Sequence, residues 1–197
     1  MNNRPFSQAC ENNKQPILDK LKQHFDNVSQ VLEIGSGTGQ HAVFFARHLA
    51  HLHWHTSDMP ENHAGINQWL EAFPADNLHP PLNFTLGVDS WPCPQADAVF
   101  TANTTHIMQP DEARLMLQMI AENLPESGLF CQYGPFNLDG DYTSDSNRQF
   151  DRYLQSQGCG GLWDIADLQA VTDQINLIER YQLPANNMLL VWQKQTH

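Results

Sequence analysis

Residues 31–41 read VLEIGSGTGQH. Gly35, Gly37 and Gly39 alternate with small polar residues, Ser36 among them, directly after a short apolar run. Glycines in such a loop let the backbone approach a ligand closely, and a helix opening behind them turns unpaired N–H groups towards it. The spacing discriminates between ligands. A dinucleotide loop, G-x-G-x-x-G, needs a glycine at position 40, where this chain has Gln40, and no Lys-Ser/Thr pair follows to make a phosphate-gripping P-loop. Glu33 stands two residues before the first glycine. A carboxylate there repels a pyrophosphate and tolerates, or attracts, an ammonium or sulfonium ion. Further polar and aromatic groups able to serve a reaction follow at Asn103, His106, Tyr133, Phe136, Tyr142 and Asn147.

The elements that must position these groups alternate. Apolar residues at helical spacing predict helices over 15–25, 39–50, 62–73 and 110–124, with shorter ones over 148–157 and 165–174. Buried-strand runs fall at 30–34, 52–57, 83–88, 96–102 and 128–133, and a strand pair at 177–182 and 188–193 closes the chain. Near-continuous apolar strands alternating with helices predict an α/β fold: a doubly wound, mostly parallel seven-stranded sheet covered on both faces. The last two strands are joined too briefly for a crossover and should form an antiparallel C-terminal hairpin. In such a sheet ligands gather at the carboxyl ends of the strands, where the glycine loop lies.

Composition narrows the partners. The chain has 197 residues and no repeat or low-complexity linker, so a single domain over 1–197 is expected. The formal net charge is −12 and no Lys/Arg cluster is visible, which argues against nucleic acid and anionic membranes and for a small neutral or cationic molecule. No run of eighteen apolar residues occurs, so no membrane span is expected, and without a secretion signal the expected location is cytoplasmic. Cys10, Cys93, Cys131 and Cys159 form no C-x-x-C pair. His51, His53 and His55 alternate along a strand, so all three should face one way; that spacing reads as a solvated or helix-covered face, and no metal is assigned.

VLEIGSGTG resembles the first motif of the class I S-adenosylmethionine-dependent methyltransferases, E-x-G-x-G-x-G, at Glu33, Gly35, Gly37 and Gly39. The resemblance implies a Rossmann-like methyltransferase fold and S-adenosyl-L-methionine as cofactor. An acidic residue ending the second strand should then bind the ribose hydroxyls. Asp58 fits, nineteen residues beyond Gly39 and followed by Met59, although an Asp there also suits a helix cap. Asp89, beside Ser90 and Trp91, is placed to accept from the adenine amino group. Asn103, after the fourth strand, falls where the superfamily contacts the amino-acid end of the cofactor.

Other stretches narrow the resemblance. ENNKQPI, NTTHI, YGPF, DYTSDSNRQFD and LPANN look like the methyltransferase-like family known as domain of unknown function 938 and span almost the whole chain. Thr104, Thr105 and Trp163 depart from the pattern expected there. The family implies the cofactor and the fold and leaves the acceptor open.

The expected activity is methyl transfer to a small molecule. Alternatives are a binding protein that keeps the cofactor pocket and transfers nothing, and a nicotinamide-linked oxidoreductase, against which Gln40 and Glu33 both speak. His106 is the candidate general base, since a neutral imidazole can take a proton from an oxygen, nitrogen or sulfur acceptor; the other reading is a loop histidine bonded to backbone. Tyr133, Phe136, Tyr142 and Asn147 are expected to line the acceptor pocket, Asn147 also being a candidate for helix capping. Residues 1–28 are expected to form an N-terminal helix and a lid over the cofactor. The oligomeric state is left open.

Overall fold

A computed structural model describes residues 4–196. The chain packs as two compact units, Met1–Thr101 and Ala102–His197. The first unit runs α1 (Gln8–His24), β1 (Gln30–Ile34), α2 (Gln40–His48), β2 (His53–Asp58), a single 3₁₀ turn at Pro60–Asn62, α3 (His63–Ala72) and β3 (Leu78–Asn83), and ends within β4 (Ala98–Ala102). The second carries α4 (Pro110–Asn123), β5 (Leu129–Gly134), α5 (Asp145–Ser156), α6 (Ile165–Gln169), β6 (Ile175–Leu183) and β7 (Asn187–Lys194). The strands form one sheet in the order β3-β2-β1-β4-β5-β7-β6. β1 is parallel to β2 and β4, β2 is parallel to β3, and β7 is antiparallel to both β5 and β6. The α/β, mostly parallel seven-stranded sheet with its antiparallel C-terminal hairpin is the one the sequence predicts.

β1 shows why this sequence gives a central strand. Its residues Val31, Leu32 and Ile34 are buried, with Glu33 buried between them. The register Ile34↔Ser57 sets the end of β1 beside the end of β2. The chain leaves β1 for β2 and β3 on one side and returns to β4 on the other, which makes the end of β1 a switch point.

Several boundaries differ from the sequence reading, among them the end of α6 at Gln169 where a helix to 174 was expected, and two bear on the site. α1 starts at Gln8, not near residue 15: Ser7 caps it, its hydroxyl accepting from Cys10 N at 3.3 Å. Apolar periodicity starts only at Ile17, and the two polar turns before it pack against α2 through hydrogen bonds that leave no hydrophobic signal. β3 occupies Leu78–Asn83, where a strand over 83–88 was expected. Its Pro80 and Pro81 disguise it, and they are tolerated because β3 is the edge of the sheet. Residues 84–90 instead form a turn, closed by Asp89 N on Thr85 O at 3.0 Å. His53 and His55 share a face: His53 Nδ1 lies 3.0 Å from His79 Nε2, and the His55 ring stacks on that of His79 at 4.3 Å. His51 precedes the strand and bonds Phe25 O at 2.8 Å.

Candidate functional site

In the first unit the loop between β1 and α2 is stitched to the end of β2. Ser36 N donates to Ser57 O at 3.0 Å, Ser57 N donates to Ser36 Oγ at 3.1 Å, and Ser57 Oγ donates to Glu33 O at 2.6 Å. Gly37 N donates to Asp58 Oδ2 at 2.7 Å. Gly37 has φ +59°, and a Cβ built on it would meet nothing nearer than Gly35 O at 4.0 Å. The loop is therefore held in a left-handed conformation over open space, where a side chain would intrude.

Asp58 is the hub of this half. Its Oδ1 accepts from Met59 N at 2.8 Å and Asn62 Nδ2 at 2.7 Å, while Phe84 N donates to its backbone carbonyl at 3.0 Å. A carboxylate offers about four acceptor sites. Three are taken, and Oδ2 keeps a lone pair for an incoming hydroxyl. Met59 beside it is 42% exposed, and Val88 is 79% exposed next to Asp89. Large apolar side chains left this open next to carboxylates suit the faces of a planar heterocycle. Asp89 Oδ2 accepts from Thr85 N at 2.8 Å, so Asp89 organises its own turn, with exposed Ser90 following. Trp91 packs edge-on against buried Phe84.

Glu33 is 2% exposed and sits under the loop, its Oε2 accepting from Ser36 Oγ at 2.9 Å and Trp54 Nε1 at 3.2 Å. Burial, reinforced by the charge of Asp58 and opposed by the two hydrogen bonds, pushes its pKa up to about 7. Its carboxylate shapes the loop from beneath and is shared with Ser36 and Trp54, an arrangement the expectation of a free anion facing the ligand did not contain. The residues fit a cofactor with a ribose and a sulfonium: an open glycine cradle, a carboxylate with acceptor capacity to spare, and no cationic side chain among these loop residues.

Gln40, read in the sequence only as a missing glycine, is a latch. Its Oε1 accepts from Ser7 N at 2.6 Å and Thr38 Oγ1 at 3.0 Å, and its Nε2 donates to Glu11 Oε1 at 2.8 Å. Next to it, buried His41 places Nε2 2.6 Å from Asn13 Oδ1. Trp69 Nε1 donates to Pro5 O at 2.6 Å, and the Arg4 guanidinium lies 4.9 Å from the Trp69 ring centre. The segment from Arg4 to Asn13 is thus fastened on the loop and on α2 and α3; residues 1–3 of the expected lid lie outside the described residues.

In the second unit, Asn103 has φ +56° and its N–H donates to Tyr133 O at 2.9 Å, which pins the residues after β4 to β5. A Cβ on Gly134 would lie 3.8 Å from Asn103 Oδ1, 3.8 Å from His106 Nδ1 and 3.7 Å from Phe136 Cζ. Three of the expected residues therefore converge over a position that carries no side chain. His106 is buried, and burial pushes its pKa down to about 4. The Phe150 ring meets it edge-on at 5.4 Å, and Tyr153 stacks on Phe150 at 6.5 Å. Tyr133 is buried within β5. Tyr142 donates its hydroxyl to Asp151 Oδ2 at 2.6 Å. Asn147 spends its side-chain amide on Thr143 Oγ1 at 2.9 Å and Asn186 O at 3.0 Å, fastening α5 to the β6–β7 turn. Tyr142 and Asn147 are thus engaged within the fold and are not among the groups drawn together at Gly134. Phe150 and Tyr153 were missed; their i, i+3 spacing was the available signal. Asn137 Oδ1 is buried without a hydrogen-bond partner among the described residues.

Among the described residues no helix is long and apolar enough to cross a membrane. Comparison with known proteins gives the same fold repeatedly. An S-adenosylmethionine-dependent methyltransferase, SibL, in its apo form superposes with a TM-score of 0.78 at 17% identity, covering 95% of this chain and 56% of that one. An O-methyltransferase family protein from Burkholderia thailandensis gives 0.75 at 16% identity, covering 95% and 58%. Human N-acetylserotonin methyltransferase, solved with its S-adenosylmethionine, gives 0.81 at 14% identity, covering 96% and 53%. The chain spans little more than half the length of these structures, and at such identities the likeness is one of fold. The family model described as protein of unknown function, DUF938, matches residues 4–194. The chain thus belongs to the DUF938 family, built on the fold of the class I S-adenosylmethionine-dependent methyltransferases.

Proposed function

We propose that this protein is an S-adenosylmethionine-dependent methyltransferase acting on a small-molecule acceptor, and that the whole chain serves as one methyltransferase domain. The observation that carries the reading is the open glycine cradle tied by Gly37 N to an Asp58 carboxylate that still has a free lone pair. When bound, S-adenosylmethionine supplies a methyl group already activated by a sulfonium. Asp58 would accept from ribose, the backbone of Gly35, Ser36, Gly37 and Gly39 would line the cradle, Glu33 fixes Ser36 from below, and Met59 and Val88 would flank the adenine, with Asp89 and Ser90 at its edge. Asn103 would hold the amino-acid end.

On the acceptor side, His106 is the catalytic residue. It is neutral at pH 7, so it accepts a hydrogen bond from the acceptor's O–H or N–H and takes the proton as that group becomes a nucleophile. Phe136 walls the site, and the Phe150–Tyr153 pair supports a planar or apolar acceptor; Phe150 is 37% and Tyr153 59% exposed. This support, and not a direct contact, is the role left to the segment carrying Tyr142 and Asn147. Much of the rate in such a transfer comes from alignment, which fixed residues supply. The protein is read as a cytoplasmic enzyme.

Titration calorimetry with S-adenosylmethionine, S-adenosylhomocysteine and NAD tests the cofactor: the first two should bind, and binding of NAD alone would reject the reading. Incubation with methyl-labelled cofactor and a metabolite extract, followed by mass analysis, should yield a labelled small molecule. Cofactor binding with no labelled product under any condition would reduce the protein to a binder.

A further inference from the structure

The position of His106 is set from outside its own loop. Three consecutive backbone N–H groups leave the segment 160–162 in two directions. Gly160 N donates to Met108 O at 3.2 Å and Gly161 N donates to His106 O at 3.1 Å. Leu162 N donates to Asp151 Oδ1 at 2.7 Å. The segment is a backbone clamp, with the loop that carries His106 on one side and α5 on the other.

The approach is close enough to demand glycine. A Cβ on Gly160 would stand 2.2 Å from Met108 O, and one on Gly161 would stand 2.5 Å from Asp151 Oδ1. At Gly160 a larger residue would push the backbone of Met108 away, and at Gly161, where φ is +90°, it would displace the Asp151 carboxylate. Glycines hold no conformation by themselves, so something else must fix the clamp. Asp151 does so. It is 4% exposed, and its second oxygen accepts from Tyr142 OH at 2.6 Å and Gln155 Nε2 at 3.1 Å. A carboxylate held by two side-chain donors and aimed at a backbone N–H makes stronger bonds than a neutral acceptor would. α5 therefore reaches His106 twice: Phe150 touches its ring, and the adjacent Asp151 fixes its backbone through the glycines.

We infer that Asp151 is a positioning residue for His106, acting through the Gly160–Gly161 clamp and steadied by Tyr142. The inference rests on the role proposed for His106, but its structural half is separable from it. An imidazole set wrongly by about 1 Å is enough to cost on the order of a hundredfold in rate, which is the scale on which such a clamp matters.

The test compares wild type with Asp151→Ala and Tyr142→Phe in the absence of any acceptor. Hydrogen exchange at the Gly160 and Gly161 amides and the ¹H–¹⁵N spectrum of the His106 ring are read out. In Asp151→Ala the two amides should exchange at least about tenfold faster, and the His106 resonances should broaden, while amides in α4 and β7 keep their protection. In Tyr142→Phe, which leaves the Leu162 bond in place, Gly161 should exchange about threefold faster with the same spatial restriction. Once an acceptor is known, Asp151→Ala should lower kcat about ten- to a hundredfold with the affinity for S-adenosylmethionine unchanged. Unaltered Gly161 exchange and an unaltered His106 spectrum in Asp151→Ala would overturn the inference. So would protection lost evenly across the second unit, because Asp151 would then be a general support. Should Asp151→Ala fail to fold, Tyr142→Phe decides, and wild-type exchange at Gly161 there counts against the clamp. Loosened glycines in a protein that never methylates anything would leave the clamp standing and remove the enzymatic reading instead.

Discussion

Asp58 and His106 make opposite predictions because their surroundings differ. Asp58 has two tasks in one carboxylate, since it holds Gly37 N and is offered to ribose. Asp58→Ala removes both. A hydrogen bond to a charged group is worth about 1.5–3 kcal/mol, so affinity for S-adenosylmethionine should fall about ten- to a hundredfold by calorimetry, with the thermal transition still cooperative. Unchanged affinity would take Asp58 out of the site. His106→Ala should leave that affinity alone and lower turnover. Its pH dependence is the sharper check. A free imidazole titrates near 6.5, which would bring an acid limb into a rate profile there. Burial moves His106 down to about 4, so this group stays neutral and should contribute no acid limb to kcat between pH 8 and pH 5. An acid limb centred near 6.5 that disappears in His106→Ala would show that the ring is solvated in the working enzyme.

At the level of elements, the sequence is legible wherever the core writes the pattern. β1 is read at its observed bounds because it is apolar and central, and the glycine loop after it is local in sequence. β3 is hidden by two prolines, and the first turns of α1 by polar residues whose partners are some thirty positions away, as Ser7 is from Gln40. The same distance problem hides the clamp: GCGGL at 158–162 announces a close approach of backbones, but nothing local says that the other backbone is that of Met108. Glu33 was legible as an acid and illegible as a buried one, since its partner Trp54 comes from the next strand. The latch supports a prediction at this scale. Gln40→Ala removes four side-chain hydrogen bonds, two of them to the backbone of Ser7, that hold Ser7, Thr38 and Glu11 together. Exchange at the amides of residues 7–13 should quicken by about tenfold, while α4 in the other unit is untouched. Affinity for S-adenosylmethionine should weaken in step, because the loop loses the same bonds. Fast exchange with full affinity would mean that the N-terminal segment rests on the loop without supporting it.

For the whole molecule the buried titratable groups pull against one another, and their sum sets how stability responds to acid. His41, His55 and His106 are each pushed down to about 4, burial being the main cause, with the neighbouring imidazoles of His79 and His53 adding to it at His55. Each is neutral in the folded chain, and in the unfolded chain each takes a proton near pH 6.5. As the pH falls from about 6.5 towards 4 the unfolded state binds protons that the folded state refuses, so all three lower stability over that window. Glu33 has the opposite sign. Its folded pKa, raised to about 7, lies above the unfolded value near 4.5, so it binds a proton more readily when folded. Its contribution is present below pH 4.5 and is lost as the pH rises through 7. Between 4.5 and 6.5 these three imidazoles, joined by His79, whose pKa burial also lowers, act one way and Glu33 acts the other, and the net slope is positive: stability rises with pH. The melting temperature should be lower at pH 5 than at pH 6.5. Glu33→Gln removes this opposing contribution, so it should steepen that fall on acidification and flatten the change between pH 6.5 and 8. A melting temperature at pH 5 equal to or above that at pH 6.5 would mean that the three imidazoles are hydrated and titrate freely, which would also withdraw the neutral, buried His106 on which the catalytic assignment stands.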